Sequence, residues 1–179
     1  MIMGSIGRRY ARALFGLAVE MDRVEAWAKS LESLREAVET SPDLRDVLSN
    51  PMYTKEQRRA IVEKLATALS LDTEPANLLF LLGDRNRLGY LAAVVETFRA
   101  LADAHLGRLR AKVVSAVKLD DAAVQAIADE LSRKHGLKVL VERAVDPALL
   151  GGVVAQVGSM VYDGSVRTQL EDLRKQLKQ

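Results

Sequence analysis

Cysteine is absent from the 179-residue chain, which excludes disulfides and thiolate metal sites and fits a reducing compartment. Aromatic residues make up only 4%, too few to suggest platforms that stack bases. Histidine occurs twice, and neither His105 nor His135 stands in a spacing with carboxylates that would hold a metal. Each suits the end of a helix, where a cation meets the dipole favourably. An excess of one charge is lacking as well: 26 basic and 24 acidic residues leave a net charge of +2, a weak basis for nucleic-acid binding. Arg8, Arg9 and Arg12 make one basic cluster, which reads as a solvated helix face. The longest uninterrupted apolar runs are residues 78–82 and 91–95, far short of the roughly 20 residues of a membrane span. The partly apolar run after Arg8-Arg9 is broken by Arg12 and Glu20, so an export signal is not expected. No phosphate-binding loop or dinucleotide fingerprint is present. Gly151-Gly152 precedes a strand-like run rather than a helix, so it reads as a sharp bend or a close backbone crossing. With no serine paired to a nearby histidine in sequence, nothing marks a catalytic site, and no cofactor, metal or small-molecule substrate is expected.

What is present is a hydrophobic fraction of 49%, arranged first with helical and then with strand periodicity. Ser5 is expected to cap a first helix reaching to about 21, with one apolar stripe of Ala11, Leu14, Phe15 and Ala18 and a second of Ile6, Tyr10, Ala13 and Leu17. A helix apolar nearly all round is either enclosed or meets a second partner. Trp27, Leu31, Leu34 and Val38 give the inner face of a second helix over 24–40. Ser41-Pro42 opens a short third helix, which ends before Asn50-Pro51. Thr54 with Gln57 is a capping box for a fourth. Residues 76–84 form a fifth helix whose five consecutive large apolar residues must point in every direction, and 90–106 form a sixth.

Near Gly107 the period changes. Alternation over 112–119 predicts a strand, Asp120 or Asp121 caps a helix ending at Gly136, and 139–145 and 153–162 read as further strands. Asp163-Gly164 supplies a turn, and Ser165 caps a last helix with Val166, Leu170, Leu173 and Leu177 on one face. The expected fold is α+β, mainly α: a six-helix bundle over 1–106, then a small α/β domain over 107–179 with a short sheet and a C-terminal helix.

Several stretches, taken together and in order, resemble the delta subunit of F-type ATP synthases, the relative of the mitochondrial oligomycin-sensitivity-conferring protein. They are Arg9-Tyr10-Ala11-Arg12-Ala13-Leu14-Phe15, Leu48-Ser49-Asn50-Pro51, Asn86-Arg87-Leu88, Gly151-Gly152-Val153, and Val161-Tyr162-Asp163-Gly164-Ser165-Val166-Arg167. The chain departs from the family at Thr168-Gln169, where Gly-Arg is frequent, and at Tyr162, where an aliphatic residue is common. The resemblance implies the same two-domain fold and a non-catalytic role as a stator subunit of a proton-transporting synthase. It implies that the bundle holds alpha subunits of the catalytic head, with beta subunits beside them, and that the second domain holds b-type peripheral stalk subunits. Rotor torque would then drive ATP synthesis. It further implies a peripheral place on the cytoplasmic face of a bacterial cell membrane, with no direct insertion and no nucleic acid partner.

Surplus apolar surface on helices one and five is what a receptor for a partner helix needs. Leu14 and Phe15 suit the core. Tyr10, Ala13 and Leu17, with part of Leu78, Leu79 and Leu82, are expected to form the groove for alpha N-terminal helices. The leucine stripe Leu170, Leu173 and Leu177, or an open sheet edge, is expected to receive the b-type stalk.

Overall fold

The computed structural model describes residues 3–168, apart from positions 51 and 150. The chain is mostly helical, with one four-stranded sheet. Backbone proximity divides it into two compact units, residues 1–102 and 103–179. The break falls inside the sixth helix, whose last turn carries Asp103, paired with Arg110 on the first strand. No described helix is long and apolar enough to cross a membrane.

The first unit is built from α1 (Met3–Glu20), α2 (Val24–Thr40), α3 (Pro42–Ser49), α4 (Lys55–Ala68), α5 (Thr73–Asp84), a single 3-10 turn (Leu88–Tyr90) and α6 (Leu91–His105). Local signals set many of these ends. Ser41 Oγ accepts from Leu44 N with Pro42 in the first turn, and Thr54 and Gln57 close a reciprocal capping box. α1 is already helical at Met3, so Ser5 lies within its first turn and not ahead of it. Trp27, Leu31 and Leu34 of α2 are buried, as are Leu79 and Leu82 of α5 and Val94 and Phe98 of α6. Gly7 of α1 meets α6 so closely that an added Cβ would lie 2.9 Å from Ala93 Cβ. Phe15 stands edge-on to Phe98, ring centres 5.9 Å apart. The entrance of α5 is tied to the start of α2: Asp72 accepts from Arg23 Nη2 at 2.8 Å and from the buried Trp27 Nε1 at 2.6 Å.

The second unit holds β1 (Arg108–Ser115), α7 (Asp121–His135), β2 (Lys138–Val145), β3 (Gly152–Val157) and β4 (Met160–Ser165). Strand order is β2-β1-β3-β4, with β1 and β2 parallel and the other two pairs antiparallel. The parallel pair is joined through α7, capped by Asp120 and closed by Gly136 at φ 67°. α7 packs Leu131 and Ile127 onto Ala111, Val113, Val139, Ala155 and Val157, the alternate residues of one sheet face.

Two expectations fail here. The first strand lies about four residues earlier than the alternation over 112–119 suggests. Ser115 Oγ donates to Val117 O and turns the chain, leaving Val117 69% exposed, while the ladder to β2 ends at Ser115 opposite Val145. Asp163-Gly164 is not a turn but part of β4, opposite Val154 and Val153. The hairpin turns instead at Gly158-Ser159, where Gly158 has φ 59°. Gly151-Gly152 is a close crossing: at Gly152, φ 83°, an added Cβ would sit 2.3 Å from Gly164 O. Beyond β4, residues 166–168 are helical, with Thr168 N donating to Ser165 Oγ. Leu170, Leu173 and Leu177 lie outside the described residues.

Candidate partner-helix groove

α1 is amphipathic in two directions, and the tertiary fold uses each differently. Ala11, Leu14 and Ala18 recur at three- and four-residue spacing and are buried. Tyr10, Ala13 and Leu17 form the neighbouring stripe, where Ala13 is exposed, Tyr10 half-buried and Leu17 44% exposed. Beside that stripe α5 contributes a second wall, Leu78 and Leu81, with Glu74 and Asn77 along its margin. Between the walls is a groove of about 250 Å³, open to solvent and floored by Leu14. Leu81, 41% exposed, is its most accessible leucine on the α5 side.

The groove corrects part of the expectation from sequence. Tyr10, Ala13, Leu17 and Leu78 do line it. Leu79 and Leu82 do not: they are 2% and 0% exposed and belong to the core. With Pro75 they make the inward face of α5 at spacings of four and three, which leaves Leu81 to face out. α5 begins at Thr73, three residues before the start at 76 that the sequence suggests, so Pro75 lies inside its first turn and joins the buried face. Leu81, Glu74 and Asn77 were not singled out.

Tyr10 is held in place from the far end of α5. Asn86 adopts φ 52°, a left-handed conformation that asparagine tolerates, and Arg87 N returns a 2.7 Å bond to Leu82 O. Arg58 donates through Nη1 to the Asn86 side chain. Arg87, aimed by this turn, donates from Nη1 to Tyr10 Oη at 2.8 Å, with its guanidinium 6.0 Å from the ring centre. The Asn86-Arg87 segment thus fixes one wall of the groove. At the other end Arg23, just after α1, pairs with Asp72, just before α5. The two helices therefore run antiparallel along the groove.

Chemically the site is an apolar trough with a polar rim. Nothing in it is a nucleophile beside a base, and no group of three or more His, Asp or Glu among the described residues could hold a metal. In the second unit, β4 is an edge strand with Met160 and Val161 exposed. Near the α7 end of the sheet, Tyr162 Oη lies 3.2 Å from His135 Nε2 and Lys134 Nζ lies 4.1 Å from the Tyr162 ring centre. This sets the polar side of Tyr162 in a cluster that an aliphatic residue would not make.

Comparison with known proteins follows the same lines. Residues 6–177 match the family described as ATP synthase delta (OSCP) subunit. The chain is 76% identical over 179 residues, 100% of both chains, to ATP synthase subunit delta of Anaeromyxobacter sp. (strain Fw109-5). It is 48% identical over 181 residues, again 100% of both, to ATP synthase subunit delta of Myxococcus xanthus (strain DK1622). Among solved structures it is similar to a chain in the cryo-EM structure of the Toxoplasma gondii mitochondrial ATP synthase hexamer, with TM-score 0.70, 25% identity and 97% of each chain covered.

Proposed function

Because the chain belongs to the ATP synthase delta (OSCP) subunit family, we propose that it is the non-catalytic stator subunit of a proton-transporting F-type ATP synthase. In this role it joins the catalytic head to the peripheral stalk, so that rotor torque is spent on ATP synthesis and not on turning the head. It sits at the cytoplasmic face of the bacterial cell membrane as a peripheral part of the complex, held there by its partners.

The observation that carries the reading is the open groove between α1 and α5. Leucines at 41% and 44% exposure facing each other along one apolar trough are what a helix-in-groove receptor presents. The six helices α1–α6 are the bundle that receives N-terminal helical segments of alpha subunits. Covering Leu17, Leu81 and Tyr10 contributes roughly 2 kcal/mol each before ordering costs. Together with the partner's own apolar side chains, this suits affinities of about −8 to −12 kcal/mol, the micromolar to nanomolar range. Titrating the full chain with a synthetic peptide of the alpha N-terminal segment tests this. Ala13→Asp places a charge on an exposed wall position without touching the core, and it is expected to abolish binding. Unchanged affinity would remove the groove from the account.

Residues 107–179 are the part that takes the b-type stalk, through the stripe Leu170, Leu173 and Leu177 or the open edge of β4. Deleting residues 171–179 is expected to abolish b-subunit binding and to leave binding of the alpha peptide intact. Loss of both, or of neither, would count against this division of labour.

A further inference from the structure

The groove carries opposite charges at its two ends, on both walls. On α5, Glu74 lies at the N-terminal end of the groove-lining stripe Glu74, Asn77, Leu78 and Leu81, and Arg85 follows Leu81 by four residues at the C-terminal end. On α1, Arg9 stands four residues before Ala13, and Glu20 three residues after Leu17, positions that share the face of those groove residues. Since the helices are antiparallel, with Arg87 on Tyr10 at one end and Arg23 on Asp72 at the other, Arg9 and Arg85 share one end and Glu20 and Glu74 the other. Among the described residues none of these four side chains has an ion-pair partner. The internal pair Arg23–Asp72 is neutral as a unit and leaves the glutamate end acidic. From Glu74 to Arg85 the span is about 16 Å, or three helical turns.

Resting on the reading of this groove as a receptor for an alpha N-terminal helix, we infer that its charges fix the direction of the occupant. One amphipathic helix of about three turns lies parallel to α5. Its N-terminal end and basic side chains face Glu20 and Glu74, and its C-terminal end and acidic side chains face Arg9 and Arg85. The positive end of a helix dipole favours carboxylates and the negative end favours guanidinium groups. An apolar trough alone has no preference between the two directions, so the end charges supply it.

The cysteine-free chain allows direct trapping. Single Met21→Cys and Ile6→Cys variants mark the glutamate and arginine ends, and the probe is the alpha N-terminal peptide with one cysteine at its first or last helical position. The N-terminal cysteine is expected to form a disulfide with Met21→Cys in preference to Ile6→Cys, and the C-terminal cysteine the reverse. Combining Arg9→Glu, Arg85→Glu, Glu20→Arg and Glu74→Arg is expected to invert or erase the preference and to weaken binding roughly tenfold. Circular dichroism checks that this charge-swapped chain remains folded, and if it does not, raised salt on the unaltered chain serves instead and must blunt the trapping preference. An unchanged preference in the swapped chain, or one indifferent to salt, overturns the inference while leaving the groove as receptor. Absence of saturable binding to the unaltered chain overturns the receptor reading itself. A dimer of the chain alone that blocks the peptide would mean a second copy fills the groove, and would overturn both.

Discussion

Gly152→Ala is the substitution whose cost can be worked most directly from the geometry. Two penalties add. At φ 83° any residue with a Cβ is strained, by about 1–2 kcal/mol. The new Cβ would also lie 2.3 Å from Gly164 O and 2.8 Å from Ser165 Cα, both backbone atoms of the paired strand. Relief requires β3 and β4 to separate at that end, an overpacking cost of about 1–3 kcal/mol. The sum, about 3 kcal/mol, is a large part of the stability of a small domain. Gly136→Ala is the control, since its φ of 67° carries the same strain but no atom lies within 4 Å of the new Cβ. Hydrogen exchange on the full chain is the assay. Amides of β3 and β4 are expected to lose roughly a hundredfold in protection, while Trp27, the single tryptophan and a member of the first unit, keeps its fluorescence transition in urea. If Gly152→Ala costs no more than Gly136→Ala, the close crossing is not what this glycine serves.

Other perturbations separate core from groove and test the link at Asp72. Leu79→Ala is expected to destabilise the first unit by about 2–4 kcal/mol, because the side chain is fully enclosed; Leu81→Asp is expected to leave the unfolding midpoint nearly unmoved and to abolish binding of the alpha peptide, measured by calorimetric titration. Hydrogen bonds from Arg23 and then from Trp27 hold the Asp72 carboxyl below its ordinary pKa of 3.8. In the unfolded chain that carboxyl takes up its proton at the ordinary value, so the contribution is complete well above pH 4 and is lost as pH falls through that range toward the lowered folded value. With the Asp72 side chain 36% exposed, solvent limits the effect to about 1 kcal/mol. Urea unfolding of Asp72→Asn against the parent is expected to show that difference at pH 7 and a smaller one at pH 3; a difference that grows on acidification would contradict the assignment.

Signals that act within a single turn were legible from the residues alone. Ser41-Pro42, the Thr54–Gln57 box, Asp120 and Gly136 each satisfy or end a helix with groups at most four positions away, so no distant contact is needed to read them. The change from helical to strand period near Gly107 was legible for the same reason, and so was the surplus apolar surface of α1 and α5. What the residues in order did not determine is which surface stays outside. Residues 78–82 are all large and apolar, and only the contacts of α5 with its neighbours decide that Leu79 and Leu82 turn inward while Leu81 borders the groove. In the same way Asp163-Gly164 has the local chemistry of a turn, yet hydrogen bonding to Val153 and Val154 across the sheet draws it into β4 and moves the turn to Gly158. Local propensity is worth tenths of a kilocalorie to about one, whereas burial of a leucine or completion of a strand ladder is worth more. Where the two disagreed in this chain, the tertiary contact prevailed.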